Sequence, residues 1–258
     1  MDHEHELTGG NATAGVVRVD DPKLGSTVRK PWLPHSALVQ NWTEQLRTAG
    51  IDVPRSFGRD DQGRAVTEFV PGDLALDLPP LDLEELSRIG RLLRSIHDAS
   101  EQAIGPERLD DWPTGLLPPP EPPTLICHND ATPWNLVVGP DRWVFIDWDG
   151  AGPSTRAWDL AYSAQAFATL GPDQTPDEGA SRLRAIIDGY GADAGLREEL
   201  PALLATRARA MYDLLERSHR ERLEPWASMF VQGHGDHWRG VADHCAAHEM
   251  MWRQALEQ

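Results

Sequence analysis

The feature that most constrains the fold is a set of acidic and amide residues placed between short apolar stretches near the middle of this 258-residue chain. The apolar stretch 125–127 predicts a buried strand that delivers His128 to a loop, and Asp130 lies on that loop. Asn135 follows five residues after Asp130, directly before a second apolar stretch at 136–138. This order predicts a polar loop held between two buried strands.

A hairpin is predicted to follow that loop. Glycine and proline occur in the turn at 139–141, and another apolar stretch, 143–146, comes soon after it. The stretches 136–138 and 143–146 are therefore predicted to pair as antiparallel strands. This pairing would bring Asp147, at the end of the second strand, back beside Asn135.

These residue types fit the chemistry of phosphoryl transfer to a hydroxyl group. That reaction needs a carboxylate beside the acceptor hydroxyl, and Asp130 fits this role. It also needs a carboxylate and an amide oxygen that hold Mg²⁺ against the ATP phosphates, and Asp147 and Asn135 fit these roles. Magnesium prefers oxygen ligands and usually keeps several waters, so two protein ligands are sufficient.

The same segment resembles the aminoglycoside phosphotransferase and choline kinase-like family, which shares the protein-kinase fold. The family pattern is His-x-Asp-x4-Asn, then a strand ending in Ile-Asp-Trp/Phe-Asp/Glu, and then Asp-Leu-Ala. The matching residues in this chain are His128, Asp130, Asn135, Asp147, Asp149 and Asp159. Each element alone is a weak signal, but all three in this order are specific.

The resemblance implies a bilobal, α+β, protein-kinase-like fold with a small β-rich N-terminal lobe and a larger, mainly helical C-terminal lobe. A change of pattern near 71–73 places these lobes at residues 1–72 and 73–258. The resemblance also implies that Asp159 anchors the catalytic loop by accepting its backbone N–H groups. His128 is expected to play a similar structural role, and Asp149 to hold the loop or to help with Mg²⁺.

The N-terminal region should cover the nucleotide. A glycine-bearing turn at 9–15 could lay backbone N–H groups over phosphates, although a plain hairpin explains it equally well. A strand predicted at 26–30 should carry the cation that contacts the ATP phosphates. Because strand residues two apart share a face, either Lys30 or Arg29 takes this role, and we prefer Lys30.

Two helices are predicted beside these strands. The helix at 36–48 offers only Glu44 as an acidic partner for the strand cation, although a glutamate is often supplied here in kinase-like folds. Glu44 lies roughly opposite Trp42 on the helix, so its side chain is predicted to face solvent. The helix at 83–99 contains His97, which we expect to be packed and hydrogen-bonded.

Two further segments complete the expected site. The resemblance makes the end of the strand at 65–70 the hinge, where main-chain groups of Glu68, Phe69 and Val70 would contact the adenine edge. The proline-rich connection at 112–123 cannot form a continuous helix and lies before the catalytic strand. This position makes it a candidate rim of the acceptor site.

The composition restricts the partners. With 24 lysines and arginines against 41 aspartates and glutamates, the formal net charge is −17, which disfavours nucleic acid and anionic membranes. The charge is compatible with a cationic acceptor, and equally with the solubility of an acidic protein. The chain has no apolar run of about 18 residues, no apolar signal region at its N-terminus and only two cysteines. These features predict a cytoplasmic protein.

Helices are predicted beyond residue 175, and the resemblance implies that they bound the acceptor pocket. His237, His244 and His248 would share one face of the last helix, so a zinc site is an alternative for this region. The chain has no His-Glu-x-x-His motif, and ordinary histidines explain the pattern better.

The sequence thus predicts a phosphotransferase that uses ATP and Mg²⁺ and moves the γ-phosphoryl group to a hydroxyl of a small molecule. Aminoglycosides and other antibiotics are well-known acceptors of the family, but choline, homoserine and sugars share the same motifs. The alternative is a catalytically weak nucleotide-binding regulatory or immunity protein on the same fold. The irregular glycine turn and the missing helix glutamate favour that alternative, whereas Asp130, Asn135 and Asp147 oppose it.

Overall fold

A computed structural model describes residues 4–7 and 15–257 of the chain, apart from the side chains at 106 and 107. The glycine-bearing turn predicted at 9–15 lies outside the described residues except for Gly15. Gly15 has a backbone φ of 78°, a left-handed conformation that favours glycine.

The N-terminal region is a five-stranded antiparallel sheet in the order β1-β2-β3-β5-β4. Its strands are β1 (Glu4–Glu6), β2 (Val17–Asp21), β3 (Gly25–Pro31), β4 (Ser56–Arg59) and β5 (Arg64–Glu68). Helix α1 (Ser36–Thr48) connects β3 to β4 and has the predicted bounds. Its apolar face, which includes the fully buried Trp42 and Leu46, packs into the main core.

The central segment has the predicted hairpin. Strands β8 (Leu136–Val138) and β9 (Trp143–Phe145) pair antiparallel with Leu136 opposite Phe145. The short strand β6 (Asp73–Leu74) adds to the outer edge of β8. Strand β7 (Leu125–Cys127) pairs with β10 (Gly152–Ser154), so the two ends of the central segment are held together.

The C-terminal region is mainly helical and carries most of the buried core. Its helices are α2 (Leu83–Ala103), α3 (Arg156–Ala168), α4 (Pro176–Tyr190), α5 (Ala194–Glu221), α6 (Trp226–Met229), α7 (Gly235–Ala247) and α8 (Glu249–Leu256). Helix α2 begins with a capping box in which Asp82 and Glu85 each accept a hydrogen bond from the other's backbone N–H. The predicted α+β architecture, β-rich at the N-terminus and helical at the C-terminus, is confirmed. The lobe boundary after residue 72 stays a prediction.

Helices α2 and α4 cross at a contact that only glycine allows. A Cβ atom at Gly90 would lie 2.1 Å from the carbonyl oxygen of Ile186, and one at Gly189 would lie 2.1 Å from that of Ser87. The two helix backbones therefore approach each other directly at this crossing.

We expect Gly90→Ala to lower the free energy of unfolding by about 1–3 kcal/mol, because the new methyl group must push the two backbones apart. Helix propensity alone would favour alanine by about 1 kcal/mol. Gly195→Ala on α5 is the matched control, since its Cβ would make only an ordinary 3.5 Å contact with Asp193. Urea denaturation would measure both, and a Gly90→Ala variant as stable as the parent would contradict this account of the crossing.

Among the described residues, none of the helices combines the length and the apolar character needed to cross a membrane. Cys127 and Cys245 are both buried and unpaired, as expected from the low cysteine content.

Candidate active site

His128 holds the loop between β7 and β8 in place through its imidazole ring. Its imidazole is buried, with Nε2 lying 3.0 Å from the carbonyl oxygen of Ile146 and Nδ1 accepting a 3.3 Å hydrogen bond from the Asp130 amide. The ring also packs 4.4 Å from that of Trp148. Burial lowers the pKa of His128, so the neutral imidazole is favoured. This placement fits the structural role predicted for His128.

Asp159 anchors the same loop from α3. Its Oδ1 accepts a 2.7 Å hydrogen bond from the backbone N–H of Asn129, and its Oδ2 lies 2.9 Å from Nε2 of His97. Burial opposes ionisation of Asp159, but the His97 and Asn129 interactions outweigh it and hold its pKa below the usual value. The other nitrogen of His97 lies 2.8 Å from the Tyr190 hydroxyl. The sequence identified His97 as packed and hydrogen-bonded but did not identify Asp159 as its partner.

Asp130 projects from this anchored loop and is oriented by Asn135. The Asn135 amide nitrogen donates to Oδ2 of Asp130 at 2.8 Å and to its carbonyl oxygen at 3.0 Å. Burial and the nearby charge of Asp147 raise the pKa of Asp130 to about 7, against the opposing effects of Trp134, Arg207 and Asn135. A carboxylate with such a pKa is suited to accept a proton near neutral pH.

Asp147 lies at the end of the hairpin in a left-handed conformation, with φ of 57°. Its Oδ1 pairs with Nζ of Lys30 at 2.8 Å, and Oδ1 of Asp149 pairs with the same ammonium group at 2.8 Å. Burial opposes ionisation of Asp147, but the Lys30 charge prevails and lowers its pKa; burial raises the pKa of Asp149. The second oxygen of Asp149, Oδ2, is buried without a hydrogen-bond partner among the described residues.

The structure distinguishes the two candidate cations of β3. Lys30 faces Asp147 and Asp149, as described above. Arg29 points to the other face of the sheet, where it pairs with Asp21 at 3.1 Å and Asp60 at 3.7 Å. Adjacent strand residues point to opposite faces, so only one of the two can reach the site. Arg29, which the sequence left open as a phosphate contact, is therefore not brought to the site.

Helix α1 supplies no acidic partner to Lys30. Glu44 is exposed and pairs with Arg47 at 2.6 Å, as its predicted solvent-facing position requires. Asp149 takes the place of the missing helix glutamate beside Lys30. Its backbone carbonyl lies 2.9 Å from Nε2 of His35, just before α1. Sequence reasoning missed both the Lys30–Asp149 pair and His35, because neither contact is local in sequence.

The predicted hinge is partly occupied by contacts within the N-terminal sheet. The amide of Glu68 donates to the Arg55 carbonyl at 2.8 Å, and the amide of Phe69 donates to the Ser26 carbonyl at 3.0 Å. Val70 is buried with Val137 and Val144 in a small cluster beneath the hairpin. The amide donors of Glu68 and Phe69 are therefore already used. The predicted adenine contact then depends on Val70 and on the carbonyl groups of this segment.

We expect Lys30→Met to weaken nucleotide binding by about tenfold or more, since a hydrogen bond to a charged group contributes about 1.5–3 kcal/mol. Arg29→Met is the matched control, one residue away on the opposite face of the same strand. Nucleotide titration in the presence of Mg²⁺ would measure both dissociation constants. Equal losses in the two variants would contradict the assignment of Lys30.

A cavity of about 500 Å³ lies beside the catalytic loop, among α3, α4 and α7. Trp134 lines this cavity and lies on the same loop as Asp130. Three acidic residues, Asp173, Glu178 and Asp236, line the same cavity. The acidic cavity therefore adjoins the loop that carries Asp130.

The proline-rich connection packs against two helices. Its Trp112 packs edge-on against Trp42 with ring centroids 6.0 Å apart, and the Trp158 indole donates to the Leu117 carbonyl at 2.9 Å. The connection is thereby tied to α1 and α3. That this connection forms the rim of the acceptor site stays a prediction.

The C-terminal histidines do not form a metal site among residues 4–7 and 15–257. The rings of His244 and His248 lie 4.4 Å apart, but the described residues contain only one close group of three potential metal ligands, His97, Cys127 and Asp159. That group is fully buried, and its histidine and aspartate are already hydrogen-bonded. The zinc alternative proposed for the histidines therefore lacks the required geometry.

Comparison with known proteins gives a consistent result for the sequence and for the fold. The model of the phosphotransferase enzyme family, APH, matches residues 106–203, which include the catalytic loop and the hairpin. A trifolitoxin immunity protein from Rhizobium leguminosarum bv. trifolii is 28% identical over 239 residues, covering 87% of each chain.

Solved structures share the fold at low sequence identity. An amicoumacin kinase in complex with AMP-PNP, Ca²⁺ and its ligand aligns with a TM-score of 0.65 at 15% identity, covering 92% of this chain and 88% of its own. An aminoglycoside phosphotransferase from Alicyclobacillus acidocaldarius gives 0.60 at 14% identity, covering 99% and 92%. A choline/ethanolamine kinase family protein from Mesorhizobium loti gives 0.58 at 17% identity, covering 98% and 92%. The predicted resemblance to the aminoglycoside phosphotransferase and choline kinase-like family, with its protein-kinase-like fold, is confirmed.

Proposed function

We propose that this chain, similar to phosphotransferases in sequence and in fold, moves the γ-phosphoryl group of ATP to a hydroxyl of a small molecule in the cytoplasm. The observation that carries this proposal is the meeting of Lys30, from the N-terminal sheet, with Asp147, which follows the catalytic hairpin. Asp130 and Asn135 lie on the neighbouring loop and are hydrogen-bonded to each other. These four side chains are the parts that phosphoryl transfer requires.

The acidic groups of the site fit a divalent metal. Asp147, Asp149 and Asn135 offer oxygen atoms, which hard cations such as Mg²⁺ prefer, and the buried Oδ2 of Asp149 has no partner among the described residues. We propose Asn135 and Asp147 as the ligands of Mg²⁺, with Asp149 as support. When bound with ATP, the metal would neutralise the phosphate charge. Lys30 would add a positive charge beside the same phosphates.

Asp130 would perform the proton transfer. As the acceptor hydroxyl oxygen bonds to the γ-phosphorus, the bond from that phosphorus to the β,γ-bridging oxygen breaks and ADP leaves. The O–H bond of the acceptor breaks as well, and its proton passes to the Asp130 carboxylate. Asn135 fixes the orientation of that carboxylate through the 2.8 Å hydrogen bond, while Asp159 and His128 hold the loop beneath it. Positioning and electrostatics would supply most of the rate enhancement, since the loose transition state needs little covalent help.

The acidic cavity beside Trp134 is our candidate for the acceptor site. An acceptor whose hydroxyl lies at Asp130 could extend over the Trp134 indole into this cavity. Asp173, Glu178 and Asp236 would favour hydrogen-bond donors and cationic groups there. We therefore propose an amine-bearing acceptor, with an aminoglycoside or another antibiotic as the first class to examine.

A second candidate function is protection by binding, without phosphoryl transfer. The similarity to a protein named for immunity to trifolitoxin favours it. The lack of a helix glutamate beside Lys30 favours it too, since Lys30 pairs instead with Asp147 and Asp149. The complete set of Asp130, Asn135 and Asp147 opposes it, because simple binding would not require a proton acceptor at that position.

The test is to incubate the purified protein with Mg·ATP and a panel of hydroxyl-bearing antibiotics and metabolites. Mass spectrometry would detect any compound that gains a phosphate, with Asp130→Ala as the blank. A phosphorylated product formed by the parent protein alone would support transfer and identify the acceptor class. Magnesium-dependent ATP binding without any product across antibiotics, amino alcohols and sugars would favour the binding function.

A further inference from the structure

A buried arginine reaches the loop of Asp130 from the helical C-terminal region. Arg207 of α5 is only 4% exposed, and its guanidinium carbon lies 4.0 Å from the ring centroid of Tyr162 and 5.4 Å from that of Trp158. Its Nη2 reaches the carbonyl oxygen of Asn129 at 3.5 Å. Its Nε and Nη1 are buried without a hydrogen-bond partner among the described residues.

Such an arginine is costly to retain for packing alone. A buried charge with unsatisfied donors destabilises a fold, and an apolar side chain of similar volume usually serves packing better. Burial lowers the pKa of Arg207, and electrostatic interactions with Tyr162, Asp159 and Asp130 offset part of this effect. The aromatic faces of Tyr162 and Trp158 add cation–π attraction.

The charge of Arg207 acts on a loop that has no positively charged side chain of its own. Residues 128–135 contain no lysine or arginine. Lys30 is held on the nucleotide side by Asp147 and Asp149. Arg207 therefore brings positive charge to Asp130 from the helical side, where we place the acceptor.

Arg207 also completes the set of contacts that fix Asn129, the residue before Asp130. Asn129 has a left-handed φ of 63°, a conformation that is uncommon outside glycine and that asparagine adopts more readily than most residues. Its amide is bound by Asp159, and its side-chain nitrogen donates to the carbonyl groups of Gly150 and Gly152 at 3.1 and 3.2 Å. The carbonyl group of Asn129 faces Arg207. The direction of the Asp130 side chain depends on this peptide.

We propose that Arg207 is a positioning residue for phosphoryl transfer: it holds the Asn129–Asp130 peptide so that the Asp130 carboxylate faces the acceptor hydroxyl. The inference rests on the proposed function. It requires that loss of Arg207 reduces turnover more than nucleotide affinity, because Lys30 and Asp147 keep their pairing with each other when Arg207 is replaced.

The experiment compares Arg207→Met and Arg207→Lys with Arg209→Met, an exposed arginine on the same helix that pairs with Asp243. Mg·ATP hydrolysis, with water as the acceptor, gives kcat, and titration gives the dissociation constant for Mg·ATP. We expect Arg207→Met to lower kcat by about 10- to 100-fold, since small displacements of a catalytic group have effects of this size. We expect Arg207→Lys to recover part of this loss, and both dissociation constants to stay within about twofold of the parent value.

Assays below the melting temperature of each variant separate this role from a merely structural one. A folded Arg207→Met protein with the kcat of the parent would overturn the inference, and so would equal losses in Arg207→Met and Arg209→Met. Hydrogen exchange over residues 128–135 provides a readout that needs no turnover. Faster exchange in Arg207→Met, but not in Arg209→Met, is expected, and unchanged exchange would overturn the inference. Failure of the parent protein to turn over ATP would instead count against the proposed function.

Discussion

Replacing Asp130 with alanine is expected to lower phosphoryl-transfer turnover by about 10²- to 10⁴-fold, the usual contribution of a positioned general base. Nucleotide binding should be largely unaffected, because the substitution leaves Lys30 and Asp147 in place and paired with each other. The raised pKa of Asp130, about 7, reflects burial and the neighbouring Asp147 charge. Removal of this carboxylate leaves the acceptor hydroxyl without its proton acceptor.

Turnover and nucleotide affinity should be measured on the same preparation of the Asp130→Ala variant. Asp130→Asn is a useful second variant, since it keeps the shape of the side chain but cannot accept the proton. Asp141→Ala is the matched control, because Asp141 is an exposed acid in the turn of the hairpin that leads to Asp147. Full activity in Asp130→Asn would contradict the assignment of Asp130 as the base.

Replacing Asp147 with alanine should abolish the magnesium dependence of nucleotide binding. Asp147 is the proposed metal ligand and also the partner of Lys30 at 2.8 Å, so its loss removes the metal and leaves Lys30 with Asp149 alone. Asp149→Ala should have a smaller effect, since it leaves both proposed ligands, Asn135 and Asp147, in place.

Isothermal titration with ATP, in Mg²⁺ and in a chelator, would measure this dependence for the parent and for both variants. The parent should bind much more tightly in Mg²⁺, whereas Asp147→Ala should bind equally weakly in the two conditions. An Asp147→Ala variant that keeps the full response to Mg²⁺ would show that the metal is held elsewhere.

Local patterns predicted much of this structure. The strand at Leu125–Cys127, the hairpin of β8 and β9, and the helix α1 follow from apolar periodicity and turn residues, which act over a few positions. A short hairpin also folds this segment back on itself. His128, Asp130, Asn135 and Asp147 therefore lie close together, as their order in the sequence predicted.

The contacts that the sequence did not reveal link distant parts of the chain. Lys30 meets Asp149 across more than a hundred residues, and Arg207 reaches the catalytic loop from α5. No local pattern distinguishes Arg207 from the exposed arginines of the same helix. The sequence likewise could not decide which side chain of β3 faces the site, because that choice depends on tertiary packing. In the structure Lys30 faces Asp147 and Arg29 faces Asp21.

The most direct test of the proposed function follows the phosphoryl group itself. ATP labelled with heavy oxygen on its γ-phosphate would be incubated with Mg²⁺, the parent protein and a small-molecule extract supplemented with amine-bearing antibiotics. We predict that the label appears as a phosphate ester on one small molecule, in proportion to the ATP consumed, and that Asp130→Ala forms none of it. The same labelled ester formed by Asp130→Ala, or tight Mg·ATP binding with no transferred label, would contradict the account.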